Sequence, residues 1–356
     1  MKVEITRVAI PDDVTQADAV DFVESCDVAN ASEIETWGSD EFIYPPESTL
    51  TMFAGSAYHS RFVWLARLDG LPVGRVVVTF PLDEEATSAE LAVDVVPVAR
   101  SRGIGSALLA HGESFISTGG RLDVAGFTQH RLPADAAGAA SARFTLPEDH
   151  ESRFLRRHGY VLAQLQVMDE LALPLPVARR DALWAEAHAH AGSNADYRLV
   201  HWWRRSPDEL AGRYAALRQQ MAADVPHDGV VLEREHWDVA RVRDTEQRAV
   251  ERGQPVLVTA ALHVPSGALV GYTEIVVAAG SNTVEQHDTL VAAPHRGHRL
   301  GLRMKLANLD RLTSAAPGVR TVLTWTAAGN TPMRRINEAL GFTPRGLLGN
   351  WSKQLE

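Results

Sequence analysis

Alternating apolar and polar residues predict a series of strands along the first half of the chain, and longer apolar periodicities predict helices between them. Residues 62–67 and 73–80 alternate on either side of Asp69 and Gly70, a pair typical of tight hairpin turns. Residues 38–60 and 132–149 follow neither pattern and are predicted to be loops. The other predicted strands are 3–10, 90–95, 121–127 and 161–172, and the predicted helices are 16–31, 107–116 and 151–158.

The second half repeats this order of elements. Predicted strands lie at 197–203, 255–264, 269–277, 283–292 and 319–326, and predicted helices begin after Ser206 and span 237–253, 302–312 and 330–340. A shift of 196 residues lays Arg100 on Arg296, Gly105 on Gly301 and Val95 on Val291. A repeat of this length is a whole domain rather than a solenoid unit. We therefore predict two domains, 1–173 and 196–356, joined by a linker at 174–195.

Both copies place a loop with arginine and glycine between a strand and a helix. In the first copy this loop runs from Arg100 to Ser106 and contains Gly103 and Gly105. Glycine lets the backbone turn tightly, and the N–H groups at a helix N-terminus attract an anion. The spacing is neither that of a P-loop nor that of a dinucleotide fingerprint. A phosphate-binding loop and a purely structural turn both use such glycines, so both interpretations stay open here.

The pattern Arg-x-x-Gly-x-Gly between a strand and an apolar helix resembles the acetyl-CoA loop of the GNAT N-acetyltransferases. Its repetition resembles the tandem members of that family, the kind that includes mycothiol synthase. The resemblance implies an α/β fold of two tandem GNAT domains, each a mixed, mostly antiparallel twisted sheet flanked by helices. It also implies acetyl-CoA as co-substrate, with its diphosphate held by backbone N–H groups and no metal required.

The resemblance carries over to two sets of cofactor-binding residues. In the first copy these are Val95, Arg100, Arg102, Gly103, Ile104, Gly105 and Ser106. In the second copy they are Val291, Arg296, His298, Arg299, Leu300, Gly301, Leu302, Asn330 and Met333. The first copy has the cleaner glycine loop and is expected to be the firmer CoA binder. The second departs at Arg299, which stands where a loop glycine belongs, but has the better last helix.

Direct attack of an amine on a thioester needs a group that removes a proton, because an alkyl ammonium has a pKa of about 10.4. In the family this group is often a glutamate about ten residues ahead of the loop arginine. Glu90 lies ten residues before Arg100 and Glu285 eleven before Arg296, and both are candidate general bases. Each is equally compatible with a solvent-facing strand position. The thioester oxygen is expected to meet a backbone N–H at a strand irregularity near Val95 or Val291.

The general acid is not evident from the family pattern. The family's tyrosine is absent from both copies, where Leu155 and Asn337 stand instead, and Glu148 stands where the first copy's asparagine is expected. The missing tyrosines motivate one alternative, a CoA-binding or CoA-sensing protein without catalysis. A second alternative is transfer of a longer acyl group, such as succinyl or malonyl.

Composition narrows the remaining classes of function. A single cysteine, Cys26, excludes an internal disulfide framework and a cysteine metal cluster, and favours a reducing, cytoplasmic compartment. The net charge of −10 argues against a nucleic-acid surface. No apolar run approaches the roughly 18 residues of a membrane span. The favoured acceptor is a small-molecule primary amine, and the expected assembly is a monomer or homodimer.

Overall fold

A computed structural model describes residues 3–83, 86–133, 144–189, 194–224 and 235–356. Most of the loop predicted at 132–149 lies outside the described residues. The first half contains β1 (Val3–Arg7), α1 (Val20–Trp37), α2 (Pro46–Phe53), β2 (His59–Leu68), β3 (Leu71–Pro81), β4 (Ser88–Val95), α3 (Ile104–Thr118), β5 (Asp123–Arg131), α4 (His150–Arg157) and β6 (Val161–Ala172).

The second half repeats these elements after an additional helix. It contains α5 (Val177–Ala189), β7 (Tyr197–Trp203), α6 (Asp208–Asp224), α7 (Val239–Glu251), β8 (Val256–His263), β9 (Ala268–Val276), β10 (Thr283–Val291), α8 (Leu300–Ala315), β11 (Thr321–Ala327), α9 (Thr331–Leu340) and β12 (Thr343–Gln354). The segment between the halves is more than a flexible connection, because α5 packs on α8 and its Trp184 donates to Asp310 over 3.0 Å.

The described strands form one sheet in which the two halves exchange their last strands. The order is β1-β2-β3-β4-β5-β12-β6-β11-β10-β9-β8-β7. The last strand of the second half, β12, therefore pairs with β5 of the first half, and β6 of the first half pairs with β11 of the second. The predicted mixed, mostly antiparallel α/β fold is confirmed, but the two sheets are continuous.

The exchange also mixes the hydrophobic cores. Leu347 and Trp351 of β12 are buried among side chains of the first half, together with Ile104 and Leu108 of α3. Leu171 of β6 is buried with residues of the second half. Fully burying a large apolar side chain stabilises a fold by roughly 1.5–3 kcal/mol. The two halves therefore contribute directly to each other's stability.

Each half contains a pair of parallel strands that separate after a few residues. In the first half β4 pairs with β5 only from Ser88 to Glu90, although both strands continue beyond that point. In the second half β10 pairs with β11 only from Thr283 to Gln286. Beyond these residues a gap opens between the strands, as the acyl-CoA interpretation of the sequence requires.

Two elements were missed by the sequence patterns. The segment predicted to be a loop at 38–60 contains α2, which begins at Pro46, where a proline fits the free first turn of a helix. The strand β12 was not predicted, because Pro344, Gly346 and Gly349 interrupt its alternation. Gly346 is needed there, since a Cβ would lie 2.6 Å from the Trp37 ring.

Candidate functional site

The two predicted cofactor loops have the same backbone shape. In the first half α3 begins after Ser101 (φ 60°) and Gly103 (φ 81°). In the second half α8 begins after Gly297 (φ 87°) and Arg299 (φ 56°). Each loop thus needs two left-handed residues and has glycine at only one of them. A non-glycine residue in this region costs about 1–2 kcal/mol, so Arg299 is a strained position.

The loops fit an anionic ligand in two respects. The first N–H groups of a helix have no partner within the helix, and here these belong to the first turns of α3 and α8. A Cβ added at Gly103 or at Gly297 would meet no atom within 4 Å, so open space adjoins both loops. Gly105 and Gly301 serve packing instead, because a Cβ there would lie 3.3 Å from Phe154 and 3.1 Å from Ile336, respectively.

The loop arginines differ in how they are held. Arg100 donates to the carbonyl of Val95 over 3.1 Å and is ion-paired with Glu35, and Arg296 donates in the same way to Val291 over 3.0 Å. The side chain of Arg102 is exposed and forms no ion pair within the described part of the chain. Both opening arginines thus brace the ends of the strands that border the gaps.

A bulge distinguishes the second half from the first. The register between β9 and β10 shifts between Gln286 and Thr289, so His287 and Asp288 together lie opposite Glu274. The register between β3 and β4 is continuous from Glu90 to Val95. The expected irregularity near Val95 or Val291 is therefore wrong in position, since the N–H groups of Val96 and Ala292 donate regularly to β3 and β9. The irregularity lies at His287 and Asp288, in β10 only.

The two candidate bases occupy equivalent positions. Glu90 pairs with Ala125, and Glu285 pairs with Leu323, and each is the third residue in its parallel ladder. The bulge accounts for the additional residue between Glu285 and Arg296. A β-bulge leaves one residue of the strand unpaired. Of the two equivalent glutamates, only Glu285 therefore lies beside backbone freed from a regular ladder.

Glu285 is hydrogen-bonded to a histidine. His287 Nε2 lies 3.1 Å from a carboxylate oxygen of Glu285, and both side chains are partly exposed. Burial alone would lower the pKa of His287, but the hydrogen bond and charge of Glu285, together with Glu274 and Asp288, raise that pKa above 6.5. This pair lies where β10 begins to separate from β11.

A buried ion network lies behind the bulge. Arg218 of α6 donates to both oxygens of Glu274 over 2.7 and 2.9 Å, and Tyr214 donates to the same carboxylate over 2.8 Å. Tyr272 donates to Asp288 over 3.0 Å. Burial, and then the charge of Glu274, raise the pKa of Asp288. The network holds the bulge at a defined place.

The first half surrounds its gap with carboxyl groups. Burial, then the charge of Asp94, raises the pKa of Glu33 to about 7. Burial, then the charge of Asp149, raises the pKa of Glu151 to about 8. Glu90 is solvent-accessible but crowded by protein, and this burial raises its pKa as well. The second gap has its own acids, Glu274, Glu285 and Asp288, but there Glu274 is ion-paired with Arg218.

The two halves meet over a shared cleft. Arg248 of α7 donates to the carbonyls of Ala54 and Gly55 over 3.3 and 2.6 Å, and Thr283 donates to Glu41 over 2.7 Å. Tyr44 is held by reciprocal hydrogen bonds with Asn30. Burial and then the charges of Glu285 and Glu33, one from each half, raise the pKa of Tyr44. The side chains around Tyr44 thus come from both gaps.

Comparison with known proteins agrees with this geometry. The family model described as Acetyltransferase (GNAT) family matches residues 28–124. A tandem GNAT protein from the clavulanic acid biosynthesis pathway is 27% identical, with a TM-score of 0.75 over 99% of this chain and 98% of that one. Residues 28–124 are thus a GNAT acetyltransferase domain, and the chain as a whole is similar to a tandem GNAT protein. No curated protein sequence matches it.

Other solved structures share the fold at lower identity. A GCN5-related N-acetyltransferase from Sphaerobacter thermophilus is 16% identical, with a TM-score of 0.62 over 99% of this chain and 95% of that one. A putative acetyltransferase from Pyrococcus horikoshii is 13% identical, with a TM-score of 0.51 over 99% of this chain and 90% of that one. A GNAT domain implies acyl transfer from an acyl-CoA co-substrate. None of the described helices has the length and apolar content to cross a membrane.

The last helix of each half shows how the chain departs from the family pattern. Asn330 caps α9 by accepting from the backbone N–H of Met333 over 3.3 Å. The residue that caps α4 in the same way is Asp149, not Glu148, because α4 is shorter than α9. The amide oxygen of Asn330 is thus engaged within the protein, which leaves its amide N–H groups for any contact with a ligand.

Sequence patterns missed several charged groups near the sites. Lys305 is fully buried in α8 and donates to Asn337 over 2.8 Å, and Asn337 donates in turn to Thr326 over 3.1 Å. Burial lowers the pKa of Lys305 to about 7. Its position between the apolar residues Met304 and Leu306 was the available signal. His298, predicted to bind the cofactor, lies 5.2 Å from the ring of Tyr197, beside His263 and His295.

One cluster of the chain offers metal-ligand atoms. Nitrogen and oxygen atoms of His130, Asp149 and Glu151 lie within 4.8 Å of one another. His130 is hydrogen-bonded at both ring nitrogens, to Asp149 over 2.5 Å and to Thr128 over 2.8 Å. A metal ion would have to displace one of these bonds, so the cluster is accounted for as a hydrogen-bond network.

Proposed function

We propose that this protein transfers an acetyl group from acetyl-CoA to the primary amine of a small molecule, with the chemistry in the second half. The observation that carries the proposal is the bulge at His287 and Asp288 beside the gap between β10 and β11. It joins an unpaired backbone segment to a proton-accepting pair, Glu285 and His287. The first half has an equivalent glutamate, Glu90, without the bulge or a histidine partner.

The N–H groups of Leu300, Gly301 and Leu302, in the first turn of α8, would hold the diphosphate of the co-substrate. Acetyl-CoA supplies the acetyl group as an activated thioester. The amine nitrogen donates its electron pair to the carbonyl carbon, a C–N bond forms, and the C–S bond breaks with its electron pair moving to sulfur. Glu285 and His287 take the proton lost by nitrogen, and the thiolate is protonated to the free thiol. The unpaired backbone at the bulge would stabilise the developing oxyanion.

The electrostatics of the two gaps favour the second half. Arg100 of the first half is neutralised by Glu35, and Glu33, Asp94, Asp149 and Glu151 lie around the same gap. The second gap has fewer acids, Glu274, Glu285 and Asp288, and one of them, Glu274, is neutralised by Arg218. Carboxylates at close range oppose the binding of a co-substrate that carries several negative charges. We propose that the first half chiefly shapes the acceptor side of the cleft. This differs from the expectation, based on loop sequence alone, that the first half is the firmer CoA binder.

The test is a panel of primary amines with acetyl-CoA, with release of free thiol as the readout. Glu285→Gln should lower kcat by about 100-fold or more, the usual contribution of a general base. Glu90→Gln removes the same charge at the equivalent position and should have a much smaller effect. Calorimetry with CoA should give one site per chain. If no amine releases thiol while CoA still binds, the protein is a CoA sensor; if Glu90→Gln is the damaging variant, the first half does the chemistry.

A further inference from the structure

Three arginines from the two halves converge on the end of α2. Arg61 of β2 donates to the carbonyl of Met52 over 2.5 Å. Arg248 of α7 donates to the carbonyls of the next turn, and Arg252 follows one helical turn later. Arg61 and Arg248 thus bind neighbouring carbonyls of residues 52–55, and the charges of both, together with Tyr44, act on Arg252. We call Arg61, Arg248 and Arg252 the arginine cluster.

Only one of the three arginines of the arginine cluster has an ion-pair partner among the described residues. Within the described residues, Arg61 and Arg252 have no ion-pair partner, and Arg248 has only Asp244, at 3.0 Å. Burial lowers the pKa of Arg61, the charge of Glu90 partly opposes this, and the charge of Arg248 adds to it. Burial and the charges of Arg61 and Arg248 lower the pKa of Arg252. Partly buried like charges repel strongly unless an anion lies among them.

Other arginines that join the two halves are compensated. Arg241 lies 3.0 Å from Asp83 and 2.9 Å from Glu235, and Arg345 is ion-paired with Glu41. If the arginines at the interface served only to hold the two halves together, each would be expected to have a carboxylate partner in the same way. The uncompensated charge of the arginine cluster therefore stands out in a protein whose net charge is −10.

Strand register connects the arginine cluster to the candidate bases. Arg61 lies directly opposite Thr79, and Thr79 lies directly opposite Glu90, so the three share one face of the sheet. Two strand spacings amount to about 10 Å, a distance that a small bifunctional molecule can span. Tyr44 provides the link to the other half, because the charges of both Glu285 and Arg252 act on its hydroxyl group.

Open space adjoins the cluster on its outer side. A cavity of about 360 Å³ borders Arg61 on the side of β1, and Arg7 and Ile10 line its opposite wall. This cavity lies away from Glu90 and is therefore not the place of acyl transfer. It leaves room for solvent and small anions to reach the guanidinium of Arg61.

We propose that the arginine cluster binds a carboxylate carried by one of the two substrates in the cleft. Guanidinium groups bind carboxylates through paired, charge-assisted hydrogen bonds. The carboxylate belongs either to the acceptor, as in an amino acid, or to the acyl group, as in a dicarboxylic acyl thioester. The proposal rests on the proposed function, since it assumes that both substrates meet beside Glu285.

Matched probes separate the two sources. 4-Aminobutyrate and 4-aminobutanamide, each tested with acetyl-CoA, differ only in the charge of the acceptor. Succinyl-CoA and acetyl-CoA, each tested with 4-aminobutanamide, differ in the charge of the acyl group. One of the two comparisons should show a preference for the carboxylate of about tenfold or more in kcat/KM. Arg61→Gln with Arg252→Gln should abolish that preference while leaving turnover of the uncharged pair nearly unchanged. Arg248 is left intact because it holds the two halves together.

The control is Arg198→Gln, which removes one positive charge from the outermost strand, β7, and should preserve the preference. Turnover without any preference for a carboxylate, or a preference that survives in the double variant, would overturn the proposal and leave the acyltransferase function intact. If no amine is acylated, the function fails, and the cluster is tested alone by calorimetry with glutarate. Binding that is lost in the double variant then supports the carboxylate site, and absence of binding to the unaltered protein rejects it.

Discussion

The indole N–H of Trp351, in the last strand, donates to the hydroxyl group of Thr128, in β5 of the first half, over 2.9 Å. Thr128 is in turn hydrogen-bonded to His130, and His130 to Asp149, which caps α4. A residue near the end of the sequence thus completes a polar network in the first domain. In the same way, β6 of the first half pairs with β11 of the second half. We therefore expect the two halves to fold cooperatively.

Trp351→Ala should lower the free energy of unfolding by about 3–5 kcal/mol, the usual cost of emptying a large buried site. The loss should appear in both halves as one transition in denaturant. Phe127→Ala is the matched control, because Phe127 lies on the neighbouring strand with 55% of its surface exposed, and it should have little effect. Two separate transitions in Trp351→Ala, with one unchanged, would show that the halves unfold independently.

Gly103→Ala should destabilise the protein by about 1 kcal/mol or more, because the loop requires a left-handed residue there and not because space is lacking. Gly55→Ala provides the comparison: its Cβ also meets nothing within 4 Å, and the residue has no positive φ. Chemical denaturation of both variants measures the difference. Equal stabilities would mean that the loop adapts its backbone at no cost.

The pH dependence of kcat should report on His287. A histidine must be neutral to accept a proton, so kcat at saturating amine should rise with pH. Because the pKa of His287 is raised, the midpoint should lie above 6.5. In the residual activity of Glu285→Gln the midpoint should move to lower pH, since the interaction that raises it is gone. If the pH dependence of kcat is unchanged in His287→Gln, a group other than His287 is responsible for it.

Lys305 should make stability increase with pH. Its pKa is about 7 in the folded protein and near 10.5 when unfolded, so between these values the unfolded chain binds more protons, and folding becomes more favourable as pH rises. Lys305→Met removes this dependence. Its stability relative to the unaltered protein should therefore fall by roughly 3–5 kcal/mol between pH 7 and pH 10, as measured by denaturant unfolding. A constant difference across this range would mean that Lys305 stays charged in the fold.

Local sequence patterns predicted much of the fold. The predicted strands at 161–172 and 197–203 coincide with β6 and β7, because each is a continuous run of strand-forming residues bounded by turns. The hairpin at Asp69 and Gly70 is confirmed for the same reason, with both residues at positive φ. The alternation of β12 is interrupted by proline and glycine, so that strand was not visible in the pattern.

The residues of the candidate sites were only partly predictable from sequence patterns. Similar spacings to the loop arginines, ten and eleven residues, indicated Glu90 and Glu285, but the additional residue in the second copy had no evident meaning. The bulge that explains it depends on pairing with β9, where Glu274 comes to lie opposite His287 and Asp288 only once the two strands have paired. The arginine cluster was missed because Arg61 and Arg252 are far apart in the sequence and meet through packing of the two halves.

The sequence by itself determined that the chain has two related α/β halves, each with a glycine-containing loop at a helix N-terminus. Such features depend on side-chain periodicity and on backbone freedom, which are local properties. The tertiary structure decided how the halves share their last strands, where β10 bulges, and which charges are left without partners. These outcomes depend on contacts between residues distant in the chain, whose burial and electrostatic energies exist only once the strands have paired and the halves have closed over the cleft.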